Sequence, residues 1–195
     1  MRRLVIGAAV AALLVPATSA WSARVRTVCN VLPDKADDTM LATPGVPLKS
    51  AVHDIRAFDI ATGAKTVMVV MKMATADLAA DPLGTGGMAW NASFKIGDVN
   101  HAFSRRVGPN GTVLSETATA GGQPISGLTV KADKTSITWI VPRANVPKLK
   151  GKGVVLSTFF AGTSSPTLVY DQAPDGGGVS SARYVDRTPS CLRPA

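Results

Sequence analysis

The side chains in this sequence best suited to chemistry are its loop aspartates. Asp34, Asp37 and Asp38 stand in the stretch PDKADD, and Asp171 and Asp175 in DQAPDGGG close to the other end. A hard cation that takes six to eight oxygen ligands draws on loop carboxylates of this kind together with backbone carbonyls, so these five residues form a candidate calcium site. The same residue type is also an ordinary turn former, because its side chain bonds its own backbone two residues on. The two clusters would share an ion only if the chain ends are held together.

The histidines offer less. His53 and His101 are the only two, and neither a G-x-S-x-G elbow nor an H-E-x-x-H helix accompanies them. A Ser-His-Asp arrangement is defined by geometry and not by order, so a small secreted hydrolase using either ring stays open as the alternative. His101 shares a strand face with Val99 and Phe103, the setting of a structural histidine. Asp59 and Asp98 read as strand-end or turn residues and show no acid/base pairing. No catalytic residue is assigned. Haem would need Met and His axial ligands, but Met68 falls on the opposite strand face from Met71 and Met73. Methionine in a buried strand is ordinarily core filler, so haem is not expected. A glycan site usually presents exposed aromatic rings. Trp90 and Trp139 both lie on the apolar side of alternating strands and read as core, which leaves Trp21, Tyr170 and Tyr184.

These residues must be positioned by strands. Trp90, Ala92, Phe94 and Ile96 alternate with Asn91, Ser93 and Lys95, and after Gly97-Asp98 the alternation resumes with Val99, His101 and Phe103, the pattern of a hairpin with one buried face. Further strands are predicted over 54–62, 66–73 (TVMVVMKM, a central strand buried on both faces), 113–119, 128–131, 136–141, 154–160 and 182–186. Thr75 and Asp77 mark a single short helical turn ending at Asp81-Pro82, and 171–178 reads as a Gly-rich loop. Eight or nine short strands with one helical turn predict an all-β fold, an antiparallel β-sandwich of jelly-roll-like form. One glutamate, Glu116, and few long amphipathic runs argue against a helical domain.

Arg2 and Arg3, the apolar run Leu4–Val15 and the small residues 17–20 predict a signal peptide over 1–20, which leaves 21–195 as one secreted domain with no transmembrane segment after processing. Removing both arginines lowers the formal net charge from +8 to +6. The basic residues are scattered in pairs and triplets, so no specific nucleic-acid partner is expected. A diffuse attraction to anionic wall polymers remains open. Cys29 and Cys191, an even pair in an oxidising compartment, predict a disulfide tying the termini, worth about 5 kcal/mol in the chain-entropy picture.

The order of PDKADD, Asp54-Ile55, Asp77-Leu78, MAWNASFKIG, Ile137–Arg143 (ITWIVPR) and DQAPD resembles that of the secreted β-sandwich domains related to DOMON and to family-nine carbohydrate-binding modules, found in exported bacterial proteins. The resemblance spans roughly 33–185. It implies a non-catalytic binding or accessory protein whose ligand is a sugar, haem or calcium according to the branch. The expectation is therefore a secreted binding protein for an extracellular glycan or cell-wall polymer, with a structural calcium. A protein-binding module acting as an inhibitor or assembly factor stands beside the hydrolase as an alternative. Oligomeric state is not legible in the sequence.

Overall fold

Alternating burial is the organising fact of the molecule. The computed structural model describes residues 30–35, 39–41, 49–78, 86–149, 155–166, 169–173 and 180–183. The predicted signal peptide, Cys29, Cys191, Asp37, Asp38, Asp175, Trp21 and Tyr184 lie outside the described residues.

The first sheet contains β1 (Asn30–Pro33), β3 (Ile55–Thr62), β4 (Thr66–Met73), β9 (Thr129–Ala132) and β10 (Ser136–Pro142), in the spatial order β1-β3-β4-β10-β9. The second contains β2 (Met40–Leu41), β5 (Met88–Ile96), β6 (Val99–Val107), β7 (Val113–Ala120), β8 (Gln123–Pro124), β11 (Val155–Ser164) and β12 (Val169–Ala173), in the order β2-β12-β11-β5-β6-β7-β8. β13 (Ser180–Arg183) pairs with the first half of β11. Every pairing among the described residues is antiparallel. The all-β sandwich expected from the sequence is what the chain forms.

The β5–β6 hairpin turns where predicted, with Ile96 facing Val99 across Gly97-Asp98 and Gly97 at φ 57°, a backbone conformation that glycine adopts without a Cβ penalty. The inward residues Trp90, Ala92, Phe94 and Ile96 are buried and the intervening ones half-buried. Strand β10 does the same from the other sheet with Ile137, Trp139 and Val141. The two layers meet through aromatic rings. Phe103 of β6 packs on Trp139 of β10 at 6.4 Å between centroids, and Phe58 of β3 on Phe159 of β11 at 4.6 Å. Each such fully buried ring stabilises the fold by roughly 1.5–3 kcal/mol, which is how two half-apolar sheets hold together without a helix between them.

Two expectations need correction. The segment read as a loop from Asp171 onward begins as strand β12, because β11 continues past the predicted end at 160 to Ser164 and offers its edge to residues 170–173. An acid inside a strand disguised it. β4 is central, but its outer face is not wholly buried: Val70 is covered while Met68 and Lys72 stay partly exposed. The predicted helical turn keeps its cap, the Asp77 N–H bonding to Thr75 Oγ1 at 3.1 Å, though residues 79–85 lie outside the described residues. A further short 3-10 turn at Arg143–Asn145 closes β10.

Candidate functional site

Two polar regions stand out, and they are built differently. The first lies where the segment 49–54 enters β3. The N–H groups of His53 and Asp54 both bond to the Ser50 carbonyl, closing a turn that places Ser50 Oγ 2.7 Å from His53 Nδ1. The Ser50 N–H reaches Thr39 Oγ1 at 3.1 Å. From the other sheet, Thr163 of β11 donates its hydroxyl to the His53 carbonyl at 2.9 Å and accepts the Asp171 N–H at 3.1 Å. Asp171 Oδ2 then accepts the N–H of Ile55 at 2.7 Å, and its Oδ1 that of Gln172 at 2.7 Å. Asp54 pairs with the half-exposed Arg56 at 2.6 Å. Thr39, Ser50, His53, Asp54, Thr163 and Asp171 are all buried. The start of one sheet is thus bonded to the edge of the other through side chains removed from water. A serine and a histidine are within hydrogen-bond reach, and His53 is fully buried.

The second region is a cleft of about 450 Å³ at the end of the sandwich where the sheets part. Ala76, Asp77 and Leu78, the β9–β10 turn with Ala132 and Asp133, and Ile137 supply one wall, while Trp90, Arg105, Val107 and the turn Pro109–Gly111 supply the other. Backbone bonds hold this rim together. The Ala76 N–H reaches the Lys134 carbonyl at 2.7 Å and the Met73 N–H reaches that of Thr135 at 2.9 Å, which brings Asp77 beside the turn that carries Asp133. Asp133 accepts the Thr135 N–H at 2.8 Å and the Ser136 hydroxyl at 2.8 Å, bonds that hold its carboxyl below the usual carboxylate range and keep it ionised. Across the cleft, Asn110 Oδ1 accepts the Thr112 N–H at 3.1 Å and fixes the β6–β7 turn.

The floor carries an inward-facing ion pair. Arg105 of β6 lies directly opposite Glu116 of β7, on the same side of the sheet as Phe103, and its Nη1 bonds the Glu116 carboxylate. Trp90 closes the cavity from inside the core. It is 2% exposed, and its indole Nε1 has no hydrogen-bond partner among the described residues. A buried N–H without an acceptor is costly, roughly 1–3 kcal/mol, and the Trp139 indole nitrogen, also in the core, is likewise without a partner among the described residues. Gly87 keeps the wall in shape: at φ 127°, it sits where a Cβ would lie 2.4 Å from the Val107 carbonyl oxygen.

A shallower groove of about 150 Å³ crosses the outer face of the second sheet, between Asn91, Ser93, Ser104, Thr117 and Thr119, with Phe160 at its border. The Phe160 ring covers Gly162, where a Cβ would come within 2.9 Å of it. This groove has no buried polar group lacking a partner, and so no anchor comparable to Trp90.

Of the five aspartates predicted to hold calcium, the structure describes two. Asp34 follows β1, with its N–H on the Arg56 carbonyl at 3.3 Å, and Asp171 has both carboxylate oxygens on backbone N–H groups. Among the described residues no three His, Cys, Asp or Glu side chains gather as a metal site. His101 is buried on the inner face of β6, stacked on Phe94 at 5.0 Å, and burial pushes its pKa down. Sequence reasoning missed the cleft residues because Asp77, Asn110 and Asp133 each looked like a local turn former. One signal was present: Arg105 continues the alternation of His101 and Phe103, which points a charge inward.

Comparison of the chain with protein-family models, with curated proteins and with solved structures gave no match.

Proposed function

We propose that this chain is a secreted, non-catalytic binding protein whose cleft between the sheets takes a polyhydroxylated ligand, a glycan residue or chain end. The observation that carries this reading is a cleft lined by Trp90, whose buried indole N–H has no partner among the described residues, with carboxylates on its rim. A sugar hydroxyl both donates and accepts, so one ligand can accept from Trp90 Nε1 and donate to Asp77 or Asp133. The cleft lies within the size range of small-ligand sites, and its polar groups converge from three separate turns. Because the Trp90 ring belongs to the core, recognition uses the indole edge and not ring stacking. This differs from the exposed-aromatic platform usual in carbohydrate modules, and it fits a chain with only 5% aromatic residues.

The test follows the indole proton directly. In a ¹⁵N-labelled sample titrated with a panel of soluble oligosaccharides, a binding sugar shifts the Trp90 indole resonance, and Trp90→Phe weakens that binding about tenfold or more. A panel in which no member moves the indole or the amides of Asp77, Asn110 and Asp133 overturns the reading. The exported setting belongs to the same proposal, with Cys29 and Cys191 as a disulfide; thiol titration of the denatured, unreduced protein then finds no free thiol.

A further inference from the structure

We propose that Asn110, in the turn between β6 and β7, is a self-modification site: in the folded protein its side-chain amide is converted to a carboxylate without an enzyme, which places a new negative charge on the wall of the cleft. The proposal stands whether or not the cleft takes a sugar.

The chain has five asparagines, at positions 30, 91, 100, 110 and 145, and only Asn110 is followed by glycine. The reaction is an attack by the next residue's backbone nitrogen on the side-chain carbonyl carbon, and a side chain on that next residue stands in its way. Gly111 has none. A Cβ placed there would meet no atom within 4 Å, and its φ is 77°, a conformation glycine adopts freely, so nothing crowds the turn at this point. Residues 109–114 are all exposed, which supplies the water the reaction consumes. The side chain is also folded back along its own backbone, because Asn110 Oδ1 accepts the Thr112 N–H at 3.1 Å. One bond opposes the attack: the Gly111 N–H donates to the Gly108 carbonyl at 2.9 Å and has to open first. In an exposed turn such opening costs little. Other asparagines are held more firmly. Asn91 lies in β5 between two paired strands, and Asn145 spends its amide on the Ser126 carbonyl at 2.8 Å.

The atoms balance with water alone. The Gly111 nitrogen gives up its proton and bonds to Asn110 Cγ, the Cγ–Nδ2 bond breaks, and ammonia leaves with the proton, giving a five-membered succinimide. Water then opens the ring. Attack at Cγ restores the chain with an aspartate at this position, and attack at the main-chain carbonyl leaves the chain running through the side chain, one atom longer. Either product lowers the formal net charge from +8 to +7. Because Asn110 lines the cleft, the new carboxylate stands in that wall.

The experiment incubates the folded full chain in warm, mildly alkaline buffer and follows it over days by cation-exchange chromatography and peptide mass mapping. One earlier-eluting species is expected to grow with time, with the amide-to-acid mass change confined to the peptide holding Asn110 before any other asparagine reacts, and part of that peptide accepting a methyl group from an isoaspartyl methyltransferase. Asn110→Ser, whose hydroxyl can still accept from Thr112, is expected to remove the species, and unchanged thermal melting shows that its fold is retained. A folded chain that stays unconverted overturns the proposal, whether or not the denatured chain reacts, because the turn then protects the site. A species that still forms in Asn110→Ser, or a change that maps first to another asparagine, overturns it as well.

Discussion

The junction around Ser50, His53, Thr163 and Asp171 and the cleft around Trp90, Asp77 and Asp133 are made from the same kinds of residue. Both join the two sheets, and both contain carboxylates, hydroxyls and an aromatic ring nitrogen. They differ in what completes them. At the junction the side chains are spent on the opposite sheet's backbone: Asp171 receives Ile55 and Gln172, and Thr163 bridges His53 to Asp171. At the cleft, Asp133 and Glu116 are spent on their own turn or cross-strand neighbour, and the buried indole N–H of Trp90 has no partner among the described residues. The polar groups of the first region tie one sheet to the other, and those of the second hold their own turns and strands around a cavity, which is the basis for the binding role proposed above. Residue type alone does not separate a staple from a site.

The contrast can be broken most severely at Asp171. Asp171→Ala leaves the buried Ile55 N–H without its acceptor, and a loss of about 3 kcal/mol is expected. For a chain of 195 residues that is a drop of roughly 6–12 °C in melting temperature, read by circular dichroism. Ligand affinity of the folded fraction should not change; if it falls in parallel, the two regions are one. Thr163→Val, of nearly equal volume, removes the bridge between His53 and Asp171 and should cost about 1–2 kcal/mol, again without touching affinity.

Trp90→Phe sharpens the comparison from the other side. It should weaken sugar binding about tenfold or more, while the stability loss stays near that of trimming a core ring, about 1–2 kcal/mol. A variant that binds normally removes Trp90 from the site.

A smaller, pH-dependent effect belongs to His101. Burial lowers its pKa in the folded state, so below about pH 6.5 the unfolded chain takes up the proton first and stability falls as the pH drops toward the folded value. Above that range this residue contributes no slope. Melting curves at pH 7.5 and 5.5 should therefore show a larger acid-induced decrease in the parent than in His101→Phe, which keeps a ring against Phe94.

The architecture was largely legible because it depends on local alternation. Trp90 to Ile96 and Ile137 to Val141 declare their faces residue by residue, and the Gly97-Asp98 turn fixes where the chain reverses. β12 was hidden because a strand's inward position normally carries an apolar residue, and Asp171 occupies one. The cleft was hidden for another reason. Asp77, Asn110 and Asp133 come from three turns that only the sheet order β4-β10-β9, facing β5-β6-β7, brings to one end. No spacing along the chain encodes that meeting. Arg105 and Glu116 were the partial exception, since a charge at an inward register position can be noticed from the pattern, though its partner cannot.

Trp90 belongs at once to the packed interior and to the wall of the cavity. On the proposed reading, recognition and folding share a single side chain, and neither can be tuned alone there. Occupancy of the cavity would be felt as resistance to heat, and tryptophan emission would report it without a label. The converse would also hold: selection for a different ligand would have to leave this indole in place and work through the turns around it, since surface loops tolerate change better than a packed core.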